Sequence, residues 1–236
     1  MKINMRLFIS ICWILMLGIS LSSCNYARVE DEEEKIFAPG TFDKLYVKGN
    51  FNILLEQGPQ SGLRIRGLKE TLETVDVKSD PSTGWLRLTR DKFSLNSPRV
   101  ILRFLDLNQI RIEGGATIKT DGYLDLQDLA VSVEGGANIK MKMKARKLDL
   151  SGEGGVVYEL QGVSRQLTAR LSGASYLKAS EFETDTADIH IEGVGFAAIH
   201  VNQYLNARLE GMGKISYSGT PQVNQSVDGL GTIEQQ

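Results

Sequence analysis

Between residues 113 and 229, seven pairs of a polar residue and a glycine recur at nearly even spacing. Glu113, Glu134, Glu153, Ser172, Glu192, Glu210 and Asp228 carry the mark, at intervals of 21, 19, 19, 20, 18 and 18 residues. In two units the wording is almost the same, Ile110-Arg-Ile-Glu-Gly-Gly-Ala-Thr-Ile-Lys119 and Val131-Ser-Val-Glu-Gly-Gly-Ala-Asn-Ile-Lys140. A self-similar unit of this length means stacked repeats, each burying its apolar face on the next.

The residues before the mark decide what is stacked. Ile112, Val133, Leu171, Ile191, Leu209 and Val227 precede it, with Ile110, Val131, Leu150 and Ile189 two places further back. Between them stand Arg111, Ser132, Ser151, Arg170, His190, Arg208 and Ser226. Alternation with period two belongs to a strand with one buried face. Helical repeats would need a 3.6 period and few glycines. The glycines Gly114, Gly135, Gly154, Gly173, Gly193, Gly211 and Gly229 take φ > 0 at little cost, so each strand is expected to end at the same sharp corner. A second apolar segment follows each corner, with Ile118, Ile139, Tyr158, Leu177, Ile199, Ile215 and Ile233 as inward positions. No proline falls between Pro98 and Pro221, as a ladder that uses nearly every N–H requires. The expected fold is all-β: a single-stranded, right-handed parallel β-helix with about 20 residues per coil.

The N-terminus reads differently. Lys2 and Arg6 precede an apolar run from Leu7 to Leu17, and Leu21-Ser-Ser-Cys24 follows. This resembles a bacterial lipoprotein signal covering residues 1–23, with Cys24 lipidated and anchoring the mature chain to a membrane. The other cysteine, Cys12, leaves with the signal, so neither a disulfide nor thiol chemistry is expected. Residues 24–40 contain Glu30-Asp-Glu-Glu-Glu34 without apolar periodicity and read as an acidic, disordered tether. Such a run just after the lipidated cysteine resembles the surface-export signal of Bacteroidetes lipoproteins.

From residue 41 onward the chain has one domain. Residues 41–107 are irregular first coils and a cap, with Leu68–Val77 a short helix or loop and Trp85 assigned to the core. Residues 108–236 are regular glycine-cornered coils. Phe51-Asn-Ile53 with Gln57-Gly58, Leu63-Arg-Ile-Arg-Gly67, Leu72 to Val77, Trp85-Leu-Arg-Leu88 and the glycine-cornered repeats together resemble the "putative auto-transporter adhesin, head GIN domain" family of Bacteroidetes lipoproteins. That resemblance covers about residues 41–233. It implies a β-helical fold and an envelope address, outer membrane or cell surface, and it supplies no catalytic motif. The last coil ends with little chain beyond it, so its face is expected either to meet another copy or to lie under the N-terminal segment.

Chemistry is sparse. Without Lys2 and Arg6 the chain carries 25 basic and 29 acidic residues, so no basic excess points to nucleic acid. Stacked marks would align Glu113, Glu134 and Glu153, a row whose repulsion a cation could relieve; salt and neighbouring arginines could do the same. His190 and His200 lack a third ligand. Asp149 with Glu153, or Asp188 with Glu192, could serve glycosidase chemistry, but short corners leave no loops to wall a cleft. The expectation is a non-enzymatic adhesin-like module without cofactor or metal, binding a protein or glycan or associating with itself. A carbohydrate-active enzyme and an envelope-sensing module are the alternatives.

Overall fold

The computed structural model describes residues 32–91 and 96–236. The signal reading, lipidated Cys24 and the first part of the tether lie outside the described residues. The strands are β1 (Glu32–Phe37), β2 (Lys44–Lys48), β3 (Phe51–Gln57), β4 (Gly62–Leu68), β5 (Asp76–Asp80), β6 (Trp85–Thr89), β7 (Arg99–Phe104), β8 (Gln109–Thr120), β9 (Leu124–Asp125), β10 (Asp128–Ser218) and β11 (Gln222–Gln235). One short helix, α1 (Lys69–Glu73), follows β4.

All of the strands belong to one mixed sheet. β8 is its pivot. On one side, its first half pairs in parallel with β2 and its second half with β3. On the other side β10 runs parallel to it in the register the duplicated motif predicts: Glu134 faces Glu113 and Gly135 faces Gly114. β11 lies parallel on the end of β10, with Asp228 on Glu210 and Gly229 on Gly211.

The seven mark glycines all take positive φ, between 89° and 129°. They lie in a column. A Cβ added to Gly135 would stand 2.6 Å from the Gly114 carbonyl oxygen, and one added to Gly173 or Gly193 would stand 2.7 Å from the oxygen of the glycine below. The backbone therefore needs glycine here twice over, for its conformation and for the close approach. Odd and even positions then divide cleanly. Ile112, Val133, Leu171, Ile191 and Leu209 before the corner are buried, as are Ile118, Ile139, Tyr158, Leu177, Ile199 and Ile215 after it. One apolar core runs through all the layers.

The sheet is not uniformly parallel, which corrects the expectation of a parallel β-helix throughout. β1 pairs antiparallel with β4, β4 with β7, and β5 with β6. The prolines at 59, 81 and 98 break the first hundred residues into short strands that double back. The tether reading also needs correcting from Glu32 onward. Residues 32–37 form a strand because Glu34 and Glu32 find Arg66 and Arg99 across the ladder, while Phe37 packs on the core. Arg90, just after β6, is buried and donates hydrogen bonds to Thr74 Oγ1 at 2.9 Å, Asn50 Oδ1 at 3.0 Å and the Asn96 carbonyl at 2.8 Å.

Candidate functional site

A depression of about 580 Å³ lies on the outer face where β4, β7, β3 and β8 adjoin. Its floor follows from strand parity. On β3, Ile53 and Leu55 point into the core, so Leu54 points out; on β7, Val100 and Leu102 point in, so Ile101 points out. The ladder sets Leu54 directly against Ile101, which in turn faces Arg64. Lys119 follows on the other side of Leu54. The neighbouring row brings Arg66, Arg99, Asn52 and Thr117 side by side. The result is an apolar floor of two aliphatic side chains under a rim of cations.

Part of that rim is already engaged. Arg66 Nε donates to Glu34 at 2.8 Å, and Arg99 is paired with Glu32. The Glu34 carboxylate raises the Arg66 pKa above the ordinary arginine value, first by its hydrogen bond and then by its charge. Arg64 and Lys119 make no ion pair among the described residues. Such a surface suits an apolar group carrying a carboxylate, phosphate or sulfate, the guanidinium fork being well matched to those oxygens.

The residues singled out by sequence lie elsewhere. Glu113 and Glu134 stand opposite each other in the ladder, and Arg111 Nη2 reaches both, at 3.2 and 3.1 Å. Glu113 also accepts from the Tyr46 hydroxyl at 2.7 Å. The tyrosine pKa is raised first by partial burial and then by that acceptor. Glu153 lines a smaller depression of about 360 Å³ with Glu134, Glu192, Arg170, His190 and Gly152. Among the described residues no group of three His, Cys, Asp or Glu converges as metal ligands. His190 Nε2 stands 3.3 Å from Glu210, whereas His200 Nδ1 is 2.9 Å from Ser218 Oγ in a different depression. Of the acids considered for glycosidase work, Asp149 pairs with Lys147 at 2.9 Å, and Asp188 accepts from Asn206 at 3.0 Å.

Trp85 is not a core residue. Leu86 and Leu88 take the inward positions of β6, which turns Trp85 outward. There Arg87 Cζ lies 5.6 Å from its ring and 5.2 Å from the Tyr46 ring, with Lys44 Nζ at 6.0 Å from Trp85. The groove itself was signalled by Ile53-Leu-Leu55 and Val100-Ile-Leu102, where an apolar residue occupies a position that alternation reserves for a polar one.

Comparison with solved structures finds the same fold in several proteins. A putative adhesin from Bacteroides fragilis matches with a TM-score of 0.82 at 20% identity, over 88% of this chain and 98% of that one. A putative lipid binding protein from Parabacteroides distasonis gives 0.70 at 15% identity, over 88% and 98%. A putative adhesin from Parabacteroides merdae gives 0.68 at 19%, over 88% and 97%. No curated protein matches the chain. Residues 41–221 match the family model described as "Putative auto-transporter adhesin, head GIN domain", and the chain belongs to that family.

Proposed function

We propose that this protein is a non-enzymatic binding module of the bacterial envelope, held to a membrane through lipidated Cys24 after removal of residues 1–23. Its regular part, residues 108–236, is a parallel β-helix of about 20 residues per coil that stands as a stiff support. The outer groove across β3 and β7 is its ligand surface. The observation that carries this reading is the outward-facing, half-buried aliphatic pair Leu54 and Ile101 set among Arg64, Arg66, Arg99 and Lys119. An outward apolar pair inside a cationic rim suits an acidic ligand with an apolar portion, whether on a protein, a glycan or a lipid. The adhesin names of the family and of two fold neighbours support an envelope address.

A lipid-like ligand is the sharper version, favoured by the aliphatic floor and in keeping with the name of the second fold neighbour. Dodecyl phosphate, kept below its micelle concentration, is a suitable probe. It is expected to bind the protein and to lose at least tenfold in affinity to the Leu54→Glu/Ile101→Glu variant, at unchanged circular dichroism and melting temperature. Equal binding by the two proteins removes the groove from consideration. Cleavage of glycans by the purified protein would instead favour an enzyme, against which the engagement of Asp149 and Asp188 weighs.

A further inference from the structure

The two ends of the sheet are finished in opposite ways. At the end that includes β1 and β5, the outermost strands are heavily charged. β1 reads Glu-Glu-Glu-Lys-Ile-Phe and β5 reads Asp-Val-Lys-Ser-Asp. Charged side chains on an edge discourage another strand from adding to it. β11, at the other end, pairs only with β10. Its fourteen residues include just two charges, Asp228 and Glu234, and no lysine, arginine or proline. About every second residue of such an edge turns its N–H and C=O outward. The core is open here as well. Val227 is 42% exposed and Val223 37%, whereas Leu209 and Leu205 directly beneath them are fully buried.

We propose that the β11 edge is an interface between two copies of this chain, which stack end to end about a twofold axis through the Gly229 corner. Three observations favour a second copy over other occupants. First, β11 is self-complementary about Gly229. In β10 the odd-numbered positions beneath it, from Leu205 through Ile215, face inward on both sides of the corner. Antiparallel pairing centred on Gly229 sets Val227 against Gly231, Gln225 against Ile233 and Val223 against Gln235, so inward residues meet inward residues all along the edge. A bent strand can be laid on its own image only if the bend lies on the axis, and here it does. Second, the area is adequate. A strand of this length at about 3.3 Å per residue, with a core roughly 10 Å deep behind it, covers about 500 Å². Two such faces reach about 1,000 Å², the threshold of a specific interface. Third, the eight residues from Cys24 to Asp31 are too few to reach this edge from Glu32. β1 lies four ladder steps beyond β8, and six corner-to-corner steps separate β8 from β11, about 48 Å at about 4.8 Å per step. Eight residues from an anchored Cys24 to Asp31 extend to at most about 28 Å.

The test is disulfide trapping of the full chain in the envelope of the expressing cell, where Cys24 is the sole native cysteine of the processed protein. The Asp228→Cys/Leu230→Cys variant places the two thiols opposite each other across the proposed axis. A reducible species of twice the monomer mass is expected, and adding Val227→Lys is expected to lower its yield at least tenfold. Sedimentation of the detergent-extracted wild-type protein is expected to show monomer and dimer exchanging at micromolar concentration. Monomer alone at about 100 μM overturns the proposal, as does a ladder of species beyond the dimer, which would mean head-to-tail growth. So does trapping that Val227→Lys leaves unchanged while the melting curve shows the variant folded.

Discussion

Gly135 and Glu134 are adjacent, yet the structure asks very different things of them. Gly135 has φ of 124°, and a Cβ on it would stand 2.6 Å from the Gly114 carbonyl oxygen, whereas the Glu134 side chain is 56% exposed beside Arg111. Gly135→Val is expected to cost about 3 kcal/mol or more in urea unfolding. Glu134→Ala is expected to stay within about 0.5 kcal/mol. Asp80 gives a test by pH. Its carboxylate accepts from the Ser82 and Thr83 hydroxyls, which lower its pKa from 3.8 to about 2. A depressed acid stabilises the fold above its unfolded pKa and loses that contribution as pH falls. The turn between β5 and β6 should therefore weaken between pH 4 and 2, and carboxyl NMR should place the Asp80 midpoint near 2. Residue-scale parity was legible in the sequence wherever it was followed strictly. Trp85 departs from its expected core position because in the alternation Trp-Leu-Arg-Leu the leucines already claim the inward face.

At the scale of elements, the regular strands were readable because each repeats the same alternation and the same corner. The cap was not. Its antiparallel pairs depend on charges far apart in sequence, Glu32 with Arg99 and Glu34 with Arg66, and a local acidic run cannot reveal such partners. The same holds for Arg90, a buried guanidinium with no carboxylate partner among the described residues, whose pKa burial pulls below the usual arginine value. It ties the segment after α1 to the loop before β7 through neutral oxygens. Arg90→Met is expected to cost about 2–4 kcal/mol, because three donated hydrogen bonds are lost at once. Arg90→Lys should recover only a small part, since an ammonium lacks the planar fork. Urea midpoints of the two variants check both statements. The outer groove escaped notice for a related reason: Leu54 and Ile101 are 47 positions apart, and only the β3–β7 ladder makes them neighbours.

For the whole molecule, two attachments are proposed, a lipid at one end of the chain and a second copy at the other end of the sheet. Cys24→Ser is expected to move the protein from the membrane pellet to the soluble fraction of fractionated cells, without altering its melting temperature. Unchanged partitioning would refute the anchor. Among the described residues no helix is long and apolar enough to cross a membrane.

The column of corner glycines carries one more implication, for how such a protein changes length. Each layer touches only the layers above and below it, and each begins its corner at the same point. Cutting out residues 135–153 would join Glu134 to Gly154, so that a new mark and hinge stand where the old ones stood. Genes of this kind can thus gain or lose whole storeys without disturbing the roof or the foundation, and the number of storeys sets how far the β11 edge stands from the groove across β3 and β7.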